Sequence, residues 1–209
     1  MAELPARLAV NGLGFSVFNT LLLSSVQYIA QLILVIIGTL DSTYLTNCRT
    51  LFMMWNYSIA ISGVAMIRYV PAEMRWAKFA GIVMAAAFSA NFPLVMSLMS
   101  GNFGGFSKKT TVNALPFIAY CAGNIVGPQL FFSLEKPTCN SGFFGVLVCM
   151  ICAFSITLCI RLYLIRENHQ RNTSVSSEQV QECMDAQADV MVNLMDRTDK
   201  EIPQFRYVY

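Results

Sequence analysis

Charged side chains are scarce over most of this chain, so the polar groups that recur there at helical spacing mark where chemistry or binding could take place. Thr20, Ser24, Gln27 and Gln31 fall at i, i+4, i+7 and i+11, which stacks them on one side of a helix. Asn113, Tyr120 and Asn124 recur at i, i+7 and i+11 in a later apolar run. In lipid each such group needs a partner or a wet cavity. Two stripes facing one another would line a hydrated, hydrogen-bonding path. The alternative is that they bond neighbouring helices, at about 1 kcal/mol or less each.

Reaction chemistry is poorly provided for. The apolar runs hold no Asp or Glu in their interiors, and the single His, His169, lies beyond them. That leaves no carboxylate pair, no Ser with an embedded His base and no His-rich metal site, so neither an enzyme nor a metal or other cofactor is expected. Cys149-Met-Ile-Cys152 has the spacing of a redox or metal half-motif, but no second pair or nearby His accompanies it. Together with Cys121 and Cys159 it is read as packing, with thiols acting as small hydrophobes. Cys139 and Cys183 fall in segments expected on different sides of a membrane, so no disulfide framework is implied.

The elements that must position these residues follow from where charge is absent. The 209 residues are 56% hydrophobic and 12% charged, which does not fit a water-soluble chain. Residues 161–209 hold 14 of the 26 charged residues, leaving 12 for the first 160. A bilayer core demands about 20 residues without unpaired charge, and five runs meet or approach that length. Turn chemistry trims them to spans near Ser16 to Ile37, Thr50 to Tyr69, Ala77 to Met99, Thr111 to Ser133 and Gly142 to Ile165. The runs are too long and too evenly apolar for barrel strands, so the expected fold is all-α, a polytopic membrane bundle of about five helices in contact with lipid. Residues 1–15 precede it as an atypical N-terminus and the remnant of an earlier helix. They lack a signal-peptide pattern and cleavage is not expected. A net charge of +2 is too mild for a nucleic-acid partner.

Within the spans, Gly81, Ala85 and Ser89 form a small-residue face and Gly123 and Gly127 a GxxxG, both read as helix packing. Pro93, Pro116 and Pro128 favour kinks. Beyond the bundle, residues 166–209 read as a polar tail with Asn172 to Ser177 as linker. A short amphipathic helix is expected from Ser176, carrying Val180, Met184, Ala188, Met191 and Met195 on one face and Glu178, Glu182, Asp185 and Asp189 on the others. Lys and Arg divide six to five between the two sides, so charge does not set the orientation.

Two stretches carry a family resemblance. Gly105-Phe-Ser-Lys-Lys-Thr-Thr-Val-Asn113 and Phe117-Ile-Ala-Tyr-Cys-Ala-Gly-Asn-Ile-Val-Gly-Pro-Gln129 resemble the loop before helix eleven, and helix eleven itself, of the fungal allantoate permease-like branch of the anion:cation symporter family in the major facilitator superfamily. Asn11-Gly-Leu-Gly-Phe-Ser16 looks like the end of helix seven, and Asp199 to Tyr207 like the family's C-terminus. The segment from Gly38-Thr-Leu-Asp41 through Arg49 looks like a worn form of the superfamily's helix 8 to 9 loop motif, and Lys136 and Cys139 depart from the usual residues before the last helix. The resemblance covers nearly everything after Val10 but only the second half of such a transporter.

It implies proton-coupled uptake of small organic anions, such as allantoate, ureido acids or carboxylate vitamins, across the plasma membrane. The substrate path would take in Gln27, Gln31, Asn113, Tyr120 and Asn124. Asp41, Arg49, Lys108 and Lys109 would be cytoplasmic loop anchors, and the tail would be cytoplasmic. A half-transporter would not be competent alone; the alternative is a non-transporting membrane protein that associates with other membrane helices.

Overall fold

A computed structural model describes residues 17–44, 47–71, 73–130, 140–174 and 205–209. Helix α1 is Val17–Tyr44, α2 Arg49–Tyr69, α3 Arg75–Ala85, α4 Asn91–Asn102, α5 Phe106–Val126 and α6 Asn140–Ser174. A 3₁₀ turn, Ala86–Ala90, joins α3 to α4, and a second, Gly127–Leu130, follows α5. Five helical rods result, because α3 and α4 run on through the turn as one span. Four of them, α1, α2, α3–α4 and α6, are long and apolar enough to cross a membrane. The described chain is thus an all-α membrane bundle, as its charge-free runs indicate. The fifth rod, α5, has 21 residues, about 32 Å at 1.5 Å per residue, so its length suffices. Its apolar content is diluted by Lys108, Lys109, Asn113 and Asn124.

Proline chemistry places the break in the third rod. Pro93 has no N–H to offer the Ser89 carbonyl, and its ring crowds the preceding turn. The backbone meets this by tightening to 3₁₀ over Ala86–Ala90. Pro128 has the same effect past Val126. Pro116, in contrast, sits inside α5, which runs through it as α-helix.

The core lies where α2 meets α3–α4. Its buried apolar residues are Met53, Ala60 and Val64 on α2 and Ile82, Ala86, Ala87, Leu94 and Leu98 along α3–α4, with Met53, Leu94 and Leu98 forming one cluster. Backbones approach most closely at Gly63 and Gly81. A methyl placed on Gly63 would lie 2.6 Å from the Gly81 carbonyl oxygen and 2.8 Å from Met84 Cβ, and would collide with the Ala85 backbone nitrogen. α6 packs along α2, with Arg68 over the Phe144 ring at 5.1 Å near one end and Arg161 donating to Thr50 Oγ1 at 2.9 Å toward the other.

The last helix departs furthest from the sequence reading. It runs to Ser174 instead of ending near Ile165, so residues 172–174 are helix and not linker. Its 35 residues reach about 52 Å, against about 30 Å of hydrocarbon, so its charged end projects beyond lipid. An i, i+4 ion pair, Glu167 to Arg171 at 3.1 Å, supports that extension. Phe205–Tyr209 lies back against it through Asn168, Arg171 and Asn172. The residues expected as atypical N-terminus, the helix-seven resemblance through Ser16, Lys136, Cys139, Cys183 and the amphipathic helix from Ser176 lie outside the described residues.

Candidate functional site

The face of α1 that carries the first polar stripe turns toward the bundle. Ser24 is buried, Gln27 and Gln31 are half-buried, and the positions between them on the outer side, such as Ile29 and Leu32, are exposed. The sequence explains the choice: outward positions carry Leu, Val and Ile suited to lipid, and the inward side continues to buried Gly38, which lies next to Leu94 of α4. The Thr20 side chain lies outside the described residues.

On α5 the second stripe is presented differently. Asn113 is half-buried, with its Oδ1 enclosed and without a hydrogen-bond partner among the described residues. Tyr120 is 57% exposed, its ring resting on Phe92 of α4 at 5.3 Å. Asn124 is half-buried and donates Nδ2 to the Tyr120 carbonyl at 2.9 Å, so part of its polarity is satisfied within its own helix. Phe117 meets the same Phe92 ring edge-on at 5.7 Å. These aromatic contacts anchor α5 to α4 and hold the stripe alongside it.

The two stripes do not meet face to face among the described residues. α1 packs on the Ala86–Ala90 turn and α4, while α5 packs on the α4 side of the same rod. Both helices thus border α4. Any common path would run past α4, not between α1 and α5.

Small residues behave unequally. Gly81 forms the close approach to α2, with Ala85 beside it and Ser89 half-buried, its hydroxyl donating to the Ala86 carbonyl at 2.6 Å. Gly123 and Gly127 would meet nothing within 4 Å if given a methyl. Among the described residues this GxxxG packs against no helix. The cysteines need a correction too: Cys121, Cys149, Cys152 and Cys159 are exposed thiols on outward faces and do not pack in the core. Apolar surroundings in sequence do not distinguish an outward face from a packed one.

The charged positions expected in loops stand at helix ends. Arg49 opens α2 and reaches across to α4, donating Nη1 to the Ser97 carbonyl at 3.0 Å. Its Nε is buried without a hydrogen-bond partner among the described residues. Gly101 leaves room for it, since a methyl there would lie 2.9 Å from Nη1. Lys108 stands over the Phe103 ring at 5.2 Å and Lys109 lies in the first turn of α5. That helix starts from Gly105, whose φ of 82° is unfavourable for residues with a Cβ. The Asp41 side chain lies outside the described residues.

Sequence reasoning missed a buried polar pair. Asn56 on α2 and Asn91, the first residue of α4, are both buried; Asn56 Nδ2 donates to Asn91 Oδ1 at 2.9 Å. Asn91 Nδ2 in turn donates to the Met53 carbonyl at 3.3 Å. The available signal was a lone Asn in the middle of each of two apolar runs, which in lipid requires a partner.

Comparisons with known proteins find similarity to proteins named as transporters. The chain is 31% identical over 205 residues to an uncharacterized transporter of Schizosaccharomyces pombe, covering 97% of this chain and 37% of that protein. It is 28% identical over 203 residues to the allantoate permease of Saccharomyces cerevisiae, covering 93% and 36%. It is 24% identical over 205 residues to the MFS-type transporter cnsL of Penicillium expansum, covering 96% and 40%. Nearly the whole chain is thus similar to proteins named as transporters, while it spans two fifths or less of the length of these three curated relatives. No protein-family profile and no solved structure matches it. Four membrane-length apolar helices and this set of relatives make it a multi-pass membrane protein.

Proposed function

We propose that the chain forms the second-half helices of a major facilitator-type transporter that moves small organic anions with protons, in the manner of the allantoate permease-like branch. The observation that carries the reading is the polar face of α5: Asn113 with an enclosed, unpartnered oxygen, exposed Tyr120 and half-buried Asn124, on a helix flanked by lipid-suited surface. Polar groups on an exposed face in hydrocarbon are costly. A neighbouring wall supplied by other helices, with solvent and substrate between, satisfies them. Gln27 and Gln31, half-buried on α1, complete the set of path residues. Their amides donate to an anion's oxygens, and with no acidic residue inside the spans the substrate's charge is not opposed. Asp41, Arg49, Lys108 and Lys109 then anchor one membrane face, the plasma membrane being the site and the cytosol the side of the tail.

Two expected results test this. Alkaline carbonate extraction leaves the chain in the membrane pellet, and a reporter fused after Tyr209 reads cytosol; release into the supernatant contradicts the spans, and a reporter on the far side the orientation. In a chimaera carrying this chain in place of the aligned segment of the S. cerevisiae allantoate permease, anion uptake depends on the proton gradient. Asn124→Leu lowers that uptake at least tenfold at equal surface expression, whereas Cys152→Ala, on an outward thiol, changes it less than twofold. Equal uptake by the two variants removes Asn124 from the path. The second reading, a non-transporting protein that binds other membrane helices, draws on the open surface at Gly123 and Gly127. A chimaera that reaches the surface without uptake, yet co-purifies with membrane partners through that face, favours it.

A further inference from the structure

The last five residues return to the bundle and are held there in a specific way. Asn168 on α6 donates Nδ2 to the Tyr207 carbonyl at 2.7 Å and accepts the Tyr207 N–H on Oδ1 at 2.9 Å. Asn102, the last residue of α4, does the same for the next residue, donating to the Val208 carbonyl at 2.7 Å and accepting its N–H at 2.6 Å. The N–H and C=O of one residue point to the same side only when the backbone is extended, and those of the next residue then point to the opposite side. Two carboxamides on different helices thus act as strand partners on the two edges of one short extended peptide.

Side chains add selection. The Arg171 guanidinium lies 4.6 Å over the Tyr207 ring and donates Nη2 to its hydroxyl at 2.9 Å, while Nη1 reaches the Phe205 carbonyl at 3.3 Å. Arg161 lies 5.2 Å over the Tyr209 ring. Phe205 meets Tyr207 edge-on at 5.3 Å, and Arg206 donates Nε to Asn172 Oδ1 at 2.7 Å. Backbone pairing accepts any extended peptide; the two guanidiniums favour aromatic rings at alternate positions through cation–π attraction.

The seat also joins helix ends that are otherwise linked only in part. Arg161 bonds Thr50 in the first turn of α2, and Arg49 of α2 bonds Ser97 of α4. The peptide closes the remaining gap between α4 and α6.

We propose that Asn102, Arg161, Asn168 and Arg171 form a seat for an extended C-terminal peptide with aromatic residues at alternate positions, filled by the chain's own Phe205–Tyr209 as a clip on the α2, α4 and α6 ends. The seat is built from α4 and α6 and does not depend on the transport reading.

The test uses the full-length chain in detergent micelles and a fluorescent peptide with the sequence of residues 203–209. In the unmodified chain the seat is occupied. In the full-length Tyr207→Ala/Tyr209→Ala variant it is emptied, and the peptide binds saturably, at least tenfold more tightly than to the unmodified chain. Adding Asn168→Ala to that variant weakens the peptide at least tenfold. Equal binding to the unmodified and emptied chains, or affinity indifferent to Asn168, overturns the proposal. Hydrogen exchange gives a readout without peptide: amides of residues 205–209 exchange slowly in the unmodified chain, and Asn168→Ala speeds them at least tenfold while the interiors of α2 and α4 keep their protection. Exchange of 205–209 at the free-peptide rate in the unmodified chain equally overturns it.

Discussion

Gly63→Ala is expected to destabilise the bundle by about 2–3 kcal/mol, the upper part of the range for overpacked interiors. The direction is the informative part. In an ordinary helix interior, Gly to Ala adds about 0.5–1 kcal/mol of stability, because glycine loses more backbone freedom on folding. At Gly63 the added methyl would lie 2.6 Å from the Gly81 carbonyl oxygen and against the Ala85 backbone. Backbone atoms cannot rotate away as a side chain tip can, so α2 and α3 must separate, and the contacts of Ala60 and Val64 loosen with them. Gly81→Ala places its methyl 2.9 Å from the Gly63 oxygen and 3.1 Å from Met66 Cβ, which is crowded but less so. Gly123→Ala meets nothing within 4 Å and is expected to be neutral or stabilising. Unfolding of the purified chain in mild detergent, followed for the three variants, checks the order Gly63, Gly81, Gly123. An unchanged midpoint for Gly63→Ala would contradict the helix contact itself.

This contrast also explains what was legible in the sequence. The small-residue face at Gly81 and Ala85 and the GxxxG at Gly123 and Gly127 have the same signature, yet one closes on α2 and the other faces open space. Spacing reports that a helix permits close approach, not that a partner arrives. Spans were legible because lipid excludes charge over a fixed thickness, and that rule needs no knowledge of neighbours. The end of α6 was not, since Glu167, Asn168 and Arg171 look like the start of a solvated tail until the returning Phe205–Tyr209 gives them partners. For the same reason the cysteines of α6 read as core: an apolar face toward lipid and one toward protein have the same composition. The polar stripes were read from periodicity, but the seating of the α5 stripe on α4 depends on the Phe92 contacts, which are tertiary.

Asn91→Leu is expected to cost about 1–3 kcal/mol, the penalty for stranding buried polar groups, and not the roughly 0.6 kcal/mol average for a membrane hydrogen bond. The reason is that one side chain serves two partners. Removing it leaves the buried Asn56 amide without its acceptor and takes a donor from the Met53 carbonyl, beside the buried core of the bundle. Asn56→Leu is milder, because Asn91 keeps its bond to Met53. The double variant Asn56→Leu/Asn91→Leu replaces both amides with apolar groups of similar size, so no carboxamide is stranded and part of the loss is recovered. The prediction is therefore non-additive: the double variant is less destabilised than the sum of the singles, by about 0.5–2 kcal/mol for groups in direct contact. Detergent unfolding midpoints for the wild-type chain, the two singles and the double form the required cycle. Strict additivity would mean that the 2.9 Å contact between Asn56 and Asn91 contributes nothing, and that α2 is held to α4 by apolar packing and the Gly63–Gly81 approach alone.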